Sequence, residues 1–222
     1  LARCTSGSVI LLSVFFACQI FADFAGYTSI AWGSAYLLGF RLPKNFNNPY
    51  LAVSFQEFWT RWHITLSRWI RDYIYIPLGG NRVPKPRLYA NLAVVMLLAG
   101  LWHGAAWTFI VWGAIHGLAL ILERTLGLHR TESKPGWMVV AWFLVVQSVV
   151  LLGWVLFRSG SFDQALLFLG RLGHGLNGFI PATELLKGVV FVTPIVLMHG
   201  WGFLRERKMV PSLTAVKKAV LC

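Results

Sequence analysis

Residues 88–122 form one apolar stretch, LYANLAVVMLLAGLWHGAAWTFIVWGAIHGLALIL, which is interrupted only by Trp102-His103-Gly104. A single α-helix of this length would span ~52 Å, whereas the hydrocarbon core of a bilayer is about 30 Å thick. The stretch must therefore break or turn, and the segment from Gly100 to Gly104 is the place that favours it. We predict two helical arms with His103 at their turn, inside the membrane or near its far side.

The composition of the whole chain is that of a membrane protein. Hydrophobic residues make up 57% of the 222 residues and charged residues only 13%, whereas soluble domains carry about 25% charged residues. We predict an all-α fold, a polytopic transmembrane helix bundle with interfacial amphipathic helices. The net charge of +12 would suggest nucleic-acid binding in a soluble protein. Here the basic residues lie in loops between apolar runs, so we expect no nucleic-acid partner.

Three further regions are predicted to cross the membrane. The apolar runs 9–20 and 27–40 flank Asp23, and they form either one long broken helix or two short helices. A bare aspartate is costly at membrane depth, so Asp23 should face protein or water. Residues 137–157 and 185–204 are predicted to be transmembrane helices.

The basic residues also predict a topology. Loop 41–87 holds eight basic residues against two acidic ones, and loops 123–136 and 205–222 are basic as well. Loop 158–184 contains only two Lys or Arg residues. Basic loops stay in the cytoplasm, so we place the first three loops there and loop 158–184 on the opposite side.

Segment 54–73 has the pattern of an amphipathic helix. Ser54 and Glu57 have the spacing of a capping box, and Arg61 and Arg68 occupy a face away from the large side chains. Apolar and aromatic residues recur at steps of three and four: Phe58, Trp62, Leu66, Trp69 and Tyr73. This pattern favours a helix in the membrane interface, and a plain amphipathic core helix is the alternative.

Histidines are the candidates for chemistry. An ionisable side chain in an apolar stretch is a functional candidate, and histidine suits proton transfer near neutral pH. His103 therefore acts either in proton transfer or as a hydrogen-bond partner of a neighbouring helix carbonyl. His63 either enters a polar cavity or rests at the interface, while His116 is better explained by packing. The glycine-containing turn 77–82 approaches a phosphate through its amides or is an ordinary turn.

Several motifs resemble the membrane-bound O-acyltransferase (MBOAT) superfamily. Residues 54–73, SFQEFWTRWHITLSRWIRDY, are similar to its signature. The continuation 74–82, IYIPLGGNR, resembles the bacterial alginate O-acetyltransferase branch, and so does 101–107, LWHGAAW. Shorter similarities to that branch lie at 23–27, 39–41 and 154–158.

The resemblance implies a many-helix bundle with a tunnel through a thinned centre. Residues 1–222 would be the C-terminal part of one such domain, without the family's N-terminal helices. The family's near-universal histidine falls on His103 and its second histidine on His63, which makes both candidate catalytic residues. The candidate substrate-binding residues are Trp62, Arg71, Asp72, Asn81, Arg82 and Trp102.

The resemblance also implies a function. We expect a membrane O-acyltransferase of the bacterial inner membrane that uses a cytoplasmic donor, such as acetyl-CoA or an acyl carrier, to O-acetylate an exported, alginate-like polysaccharide. Separate periplasmic acetyltransferases would be partners, and no bound cofactor or metal is expected. The alternatives are D-alanyl transfer to teichoic acid, acylation of a protein serine, and a transporter subunit with His103 as a proton relay. The similarity at 79–82 disfavours the first two.

Cysteine labelling tests the predicted topology. Because basic residues crowd 41–87 and 205–222, Arg82→Cys and Lys217→Cys should react with a membrane-impermeant maleimide only after the membrane is opened. Gly178→Cys should react in intact cells. Labelling of Arg82→Cys in intact cells would contradict the orientation and the cytoplasmic position of the donor.

Overall fold

A computed structural model of the chain describes residues 6–129, 134–174 and 182–207, and its regular secondary structure in these ranges is helical. The α-helices are α1 (Ser6–Leu37), α2 (Phe55–Arg61), α3 (Ile64–Ile70), α4 (Lys85–His103), α5 (Trp107–Thr125), α6 (Gly136–Arg158), α7 (Phe162–Gly170) and α8 (Ala182–Glu206). A π-helical turn, Arg71–Tyr75, follows α3, and short 3-10 turns lie at Pro49–Leu51 and Arg171–His174. Most of the predicted loop 205–222, including Lys217, and Gly178 lie outside the described residues.

Within the described ranges, three helices are long and apolar enough to cross a membrane. They are α1 over Gly7–Leu37, α6 over Gly136–Arg158, and α8 over Leu185–Glu206. α1 is continuous, so the two apolar runs at the start of the chain belong to one helix. Asp23 is exposed on α1 and forms no ion pair with the described residues. Of the two environments that we expected for Asp23, protein or water, burial against protein is not found among the described residues.

The apolar stretch 88–122 forms a helical hairpin, as predicted. α4 ends at His103 and α5 begins at Trp107. Gly104 has φ 158° and ψ 157°, a conformation that is essentially restricted to glycine. Gly113 lets the two arms approach closely, because a Cβ on it would collide with the carbonyl group of Met96. Small residues commonly allow such contact between membrane helices.

The prediction of one amphipathic helix over 54–73 is wrong. α2 ends at Arg61, and His63 adopts a left-handed conformation with φ 43° and ψ 53° before α3 begins. The cause is tertiary hydrogen bonding from a neighbouring loop. Asn47 N donates to Arg61 O at 3.0 Å, and Ile64 N donates to Asn45 O at 2.9 Å. These bonds take backbone groups that a continuous helix would have used.

The break divides the aromatic face into two parts with different surroundings. Phe58 is fully buried and Trp62 is 4% exposed, whereas Trp69 and Tyr73 are 53% and 69% exposed. The first part belongs to the core, and only α3 and its π-helical extension keep an exposed aromatic surface suited to an interface.

Ser54 caps α2 as predicted. Its side chain accepts a hydrogen bond from Glu57 N at 3.0 Å. The return bond of the predicted capping box differs, because the Glu57 carboxylate accepts from Val53 N at 2.7 Å instead of from Ser54 N. The cap fixes the start of the helix that leads to His63.

The core lies where α2 meets the long helices. Its largest members are aromatic, and Trp62 contacts Trp154 of α6 with ring centroids 4.8 Å apart. The buried residues of this cluster are Ala17, Phe21, Ala52, Phe55, Phe58, Trp62, Ala119, Val146, Val150 and Trp154. α2 is therefore buried between α1, α5 and α6, although it has only seven residues.

A buried carboxylate fastens α2 to α5. Glu123 is 1% exposed, and it accepts hydrogen bonds from Phe55 N at 2.7 Å and Gln56 N at 2.9 Å. Trp142 Nε1 donates to the same carboxylate at 3.0 Å. The pattern of basic residues predicted a loop that starts at Glu123, whereas Glu123 lies in the last turns of α5 and holds the first turn of α2.

The close contact within the hairpin predicts a large effect of substitution. Gly113→Leu should destabilise the protein by about 1–3 kcal/mol, because the added side chain meets the backbone of α4 and overpacks the contact. The apparent melting temperature in detergent, read by size-exclusion chromatography after heating, should fall.

Gly136→Leu is the matched control, since a Cβ at Gly136 meets nothing within 4 Å. Equal melting temperatures for Gly113→Leu and Gly136→Leu would contradict the close approach of α4 and α5.

Candidate functional site

A cavity of about 440 Å³ runs along the α4–α5 hairpin. Its lining includes both candidate catalytic histidines, His63 and His103. Trp112 and Arg124 of α5 also line it, and their separation of twelve residues corresponds to ~18 Å along a helix. The cavity therefore connects the turn of the hairpin, where His103 lies, with the open end of the hairpin, where the basic residues lie.

His103 is the last residue of α4 and is surrounded by aromatic rings. The ring centroids of Phe157, Trp102, Trp112 and Phe109 lie 4.8, 5.0, 5.4 and 6.1 Å from that of His103. Within the described ranges its ring forms no hydrogen bond to protein. Both ring nitrogens are thus available to a substrate, and the interpretation as a bridge to a neighbouring helix carbonyl has no support in the described residues.

His63 lies between α2 and α3 and is held from several sides. Its ring contacts the rings of Phe24 and Trp102, with centroids 4.7 and 5.9 Å away. Its Nδ1 lies 3.2 Å from Asn45 Oδ1. Burial lowers the pKa of His63 to about 4, and the neighbouring His103 lowers this pKa as well. The imidazole of His63 is therefore neutral near pH 7.

Three of the candidate substrate-binding residues line the same cavity. These are Trp62, Arg71 and Asn81. Trp62 is buried in the aromatic core, while Asn81 accepts a hydrogen bond from the Tyr75 hydroxyl at 2.8 Å. The structure thus brings residues from the end of α2, the π-helical turn and the following turn to one cavity.

The other three candidates lie outside the cavity lining. Asp72 pairs with Arg71 at 2.7 Å, and both side chains are well exposed. Arg82 is exposed and does not reach the cavity. Trp102 is 61% exposed, but its ring flanks both His63 and His103.

The glycine-containing turn 77–82 is built as an ordinary turn. Gly80 N donates to Tyr75 O at 2.9 Å, and Arg82 N donates to Gly79 O at 3.0 Å. Gly79 N also has a backbone partner, Ile76 O, at 2.9 Å. Because these amides are already paired, they are not free to bind a phosphate.

His116 is placed as a packing residue. It is 1% exposed and lies among the rings of Trp59 and Trp112, with centroids 5.2 and 4.9 Å from its own. Its Nε2 is so close to α6 that a Cβ on Gly153 would lie 3.0 Å away. It is separated from the cavity by these rings and is not among the cavity-lining residues.

Three residues of the site escaped the sequence analysis. Asn45 contacts His63 across 18 residues of chain, and its loop carries no pattern that predicts this contact. Glu123 and Arg124 were assigned to a loop because they follow the apolar stretch. The one feature of the sequence that could have indicated their position is the length of the second helical arm, since α5 continues beyond the apolar stretch to Thr125.

Comparison with known proteins gives one family and several relatives. The profile of the MBOAT, membrane-bound O-acyltransferase family matches residues 7–159. The chain is 46% identical over 161 residues to the probable alginate O-acetylase AlgI of Azotobacter vinelandii, covering 72% of this chain and 32% of that protein. It is 44% identical over 173 residues to the peptidoglycan O-acetyltransferase of Helicobacter pylori, with 76% and 32% covered. The teichoic acid D-alanyltransferase of Streptococcus thermophilus is 31% identical over 161 residues, with 64% and 39% covered.

The chain spans about a third of the length of these relatives. The family profile covers residues 7–159, a range that contains both histidines and the four helices, α2 to α5, around the cavity. On this match, and with a helical fold that has three helices able to cross a membrane, the chain belongs to the membrane-bound O-acyltransferase family.

Proposed function

We propose that the cavity is the acyl-transfer centre of an enzyme that passes acetyl groups from a cytoplasmic donor to hydroxyl groups of an exported polysaccharide at the bacterial inner membrane. The observation that carries this proposal is a single cavity lined by His63 and His103 and also by Arg124 and Arg71. The same cavity therefore joins the proposed site of chemistry, at the turn of the hairpin, to the proposed donor-binding site at its open end.

His103 is proposed to act as the general base. A nitrogen lone pair of His103 takes the proton of the acceptor hydroxyl as its oxygen attacks the carbonyl carbon of the donor thioester. The new C–O bond forms, the C–S bond breaks, and the leaving thiolate takes up a proton, which the imidazolium of His103 can supply. General-base assistance of this kind contributes about 10²–10⁴-fold to the rate.

The aromatic surroundings of His103 support this role. Phe157, Trp112 and Phe109 pack around its half-buried ring, and in the described ranges its nitrogens have no protein hydrogen-bond partner. A base held in this way can present a nitrogen lone pair to an acceptor hydroxyl in the cavity. Alignment of donor and acceptor in the cavity supplies a further part of the acceleration.

The arginines of the cavity suit a phosphate-bearing donor. Arg68, Arg71 and Arg124 all line it, and guanidinium groups bind phosphate oxygens in bidentate, charge-assisted hydrogen bonds. Acetyl-CoA and the phosphopantetheine arm of an acyl carrier both present phosphate at a distance from their thioester.

The relatives favour acetyl transfer to a polysaccharide. The two relatives named O-acetylase and O-acetyltransferase are 46% and 44% identical to the chain, whereas the D-alanyltransferase is 31% identical. The polysaccharide is exported, so separate periplasmic acetyltransferases are proposed as partners that complete its modification. A transporter with His103 as a proton relay would instead move protons without forming an ester.

Substitution of His103 tests the base. His103→Ala and His103→Gln should each lower O-acetylation by at least about 10²-fold, because neither side chain accepts a proton near pH 7. The variants are made in the chromosomal gene, and the acetyl content of the exported polysaccharide is measured beside the amount of protein in the membrane fraction.

His199→Gln is the matched control, because His199 lies on α8 and lines a different cavity from that of His103. It should retain full activity. If His103→Gln retained most of the activity at a normal membrane level, His103 would supply only a hydrogen bond and the proposed base would be wrong.

Substitution of the arginines tests the donor site. The double variant Arg71→Ala/Arg124→Ala should raise KM for the donor about tenfold or more, with a smaller effect on kcat, since each charge-assisted hydrogen bond contributes about 1.5–3 kcal/mol. The measurement is acetyl transfer in inside-out membrane vesicles, with acetyl-CoA and an acetylated acyl carrier protein titrated in turn.

Arg87→Ala is the control, because Arg87 is exposed on the first turn of α4 and does not line the cavity. An unchanged KM for both donors in the double variant would place the donor elsewhere.

A further inference from the structure

We propose that Asn45 is a positioning residue that holds His63 in the tautomer with its proton on Nδ1, so that Nε2 offers a lone pair to the cavity shared with His103. The inference rests on the proposed function for its consequence in catalysis, but its structural part can be tested separately. It concerns the loop before α2, to which the sequence analysis assigned no role.

The hydrogen bonds around Asn45 identify its side-chain atom. Asn45 Oδ1 lies 3.2 Å from Thr65 N and 2.9 Å from Thr65 Oγ1. A backbone N–H can only donate. The atom that faces Thr65 N must therefore be the carbonyl oxygen of Asn45, because the amide nitrogen has no lone pair to accept this bond.

The same oxygen lies 3.2 Å from His63 Nδ1. Because a carbonyl oxygen only accepts hydrogen bonds, Nδ1 must carry the proton to form this bond. A neutral imidazole has one N–H and one lone pair, and the pKa of His63 is lowered to about 4 by burial and by His103. The lone pair is therefore on Nε2, which has no protein partner among the described residues.

Besides Asn45, the acceptor that acts on the ring of His63 is the backbone carbonyl of His63 itself. Phe24 approaches from α1 and Trp102 from the end of α4, and both are uncharged. The titratable group that acts on His63 is His103. Among the described residues, Asn45 is thus the side chain that sets which ring nitrogen of His63 holds the proton.

The backbone of Asn45 strengthens this arrangement. Asn45 O accepts a hydrogen bond from Ile64 N at 2.9 Å, so the main chain and the side chain of one residue hold positions 63, 64 and 65. His63 has φ 43°, a conformation that persists in a non-glycine residue only where the surroundings fix it. Asn45 supplies that constraint and orients the ring together with the backbone.

The tautomer decides what His63 can do for the reaction. With a lone pair on Nε2, His63 accepts a hydrogen bond from an O–H or N–H group in the cavity and cannot donate one to a developing oxyanion. It therefore orients the acceptor hydroxyl, or the N–H of His103 once His103 has taken a proton. This excludes the role of oxyanion donor for His63.

Nuclear magnetic resonance of the whole protein with ¹⁵N-labelled histidine tests the tautomer. The His63 signals are assigned by their loss in His63→Gln. In the wild type, the shifts at neutral pH should show a protonated Nδ1 and an unprotonated Nε2. Asn45→Ala should lose this pattern. Thr65→Val, which removes a different bond to the same Asn45 oxygen, should keep it.

Activity then separates positioning from loop stability. Asn45→Ala should lower kcat for acetyl transfer at least about tenfold, while Thr65→Val should change kcat by less than about threefold. Asn45→Asp keeps the acceptor, so it should restore activity at high pH. Its carboxylate should raise the pKa of His63 by about one unit or more. On the acid side of the pH–activity profile, the activity of Asn45→Asp should therefore fall at a higher pH than that of the wild type.

Two outcomes overturn the proposal. One is a wild-type His63 with its proton on Nε2, and the other is the same tautomer in Asn45→Ala as in the wild type. If the tautomer responds as expected but the wild type transfers no acyl group, the assignment of Asn45 is supported and the proposed function is wrong.

Discussion

The buried carboxylate of Glu123 holds together the parts that form the cavity. The first turn of any helix leaves backbone N–H groups without partners inside the helix, and in an apolar environment each unpaired group is costly. Glu123 accepts from two of these groups, on Phe55 and Gln56, and from the indole of Trp142. One side chain thereby fixes α2 against α5 and α6, and α2 carries the chain to His63.

The other end of α2 is fastened by charge. Arg61 donates to both carboxylate oxygens of Glu206, at 2.7 and 3.0 Å, and pairs with Glu57 at 2.7 Å. A bidentate arginine–carboxylate pair is strong and directional, so it joins the end of α2 to the end of α8. A seven-residue helix has little stability of its own. Its two fastened ends explain why it can hold a histidine in a left-handed conformation immediately after it.

The sequence predicted those features that depend on local composition or on comparison with bilayer thickness. Residues 88–122 were too long for one span, and the hairpin turns at Gly104 as expected; Ser54 caps α2 for reasons visible within four residues. The features that escaped prediction depend on contacts between distant segments. The periodicity of 54–73 favoured one helix, but backbone bonds from Asn45 and Asn47 broke it. Likewise, Glu123 bonds Phe55 across 68 residues, and no local pattern distinguishes a buried carboxylate from a loop residue.

The two histidines line one cavity, but different contacts hold their rings in place. This difference explains why a glycine follows His103. The ring of His63 is held by a hydrogen bond to Asn45, whereas in the described ranges the ring of His103 contacts aromatic rings and forms no hydrogen bond to protein. A Cβ at Gly104 would lie 2.8 Å from the ring of Phe109, and that ring contacts Phe157, the ring nearest to His103. A larger residue at 104 would therefore displace the rings that position His103, in addition to straining the turn. Glycine is required here by the packing around the histidine as much as by the backbone conformation.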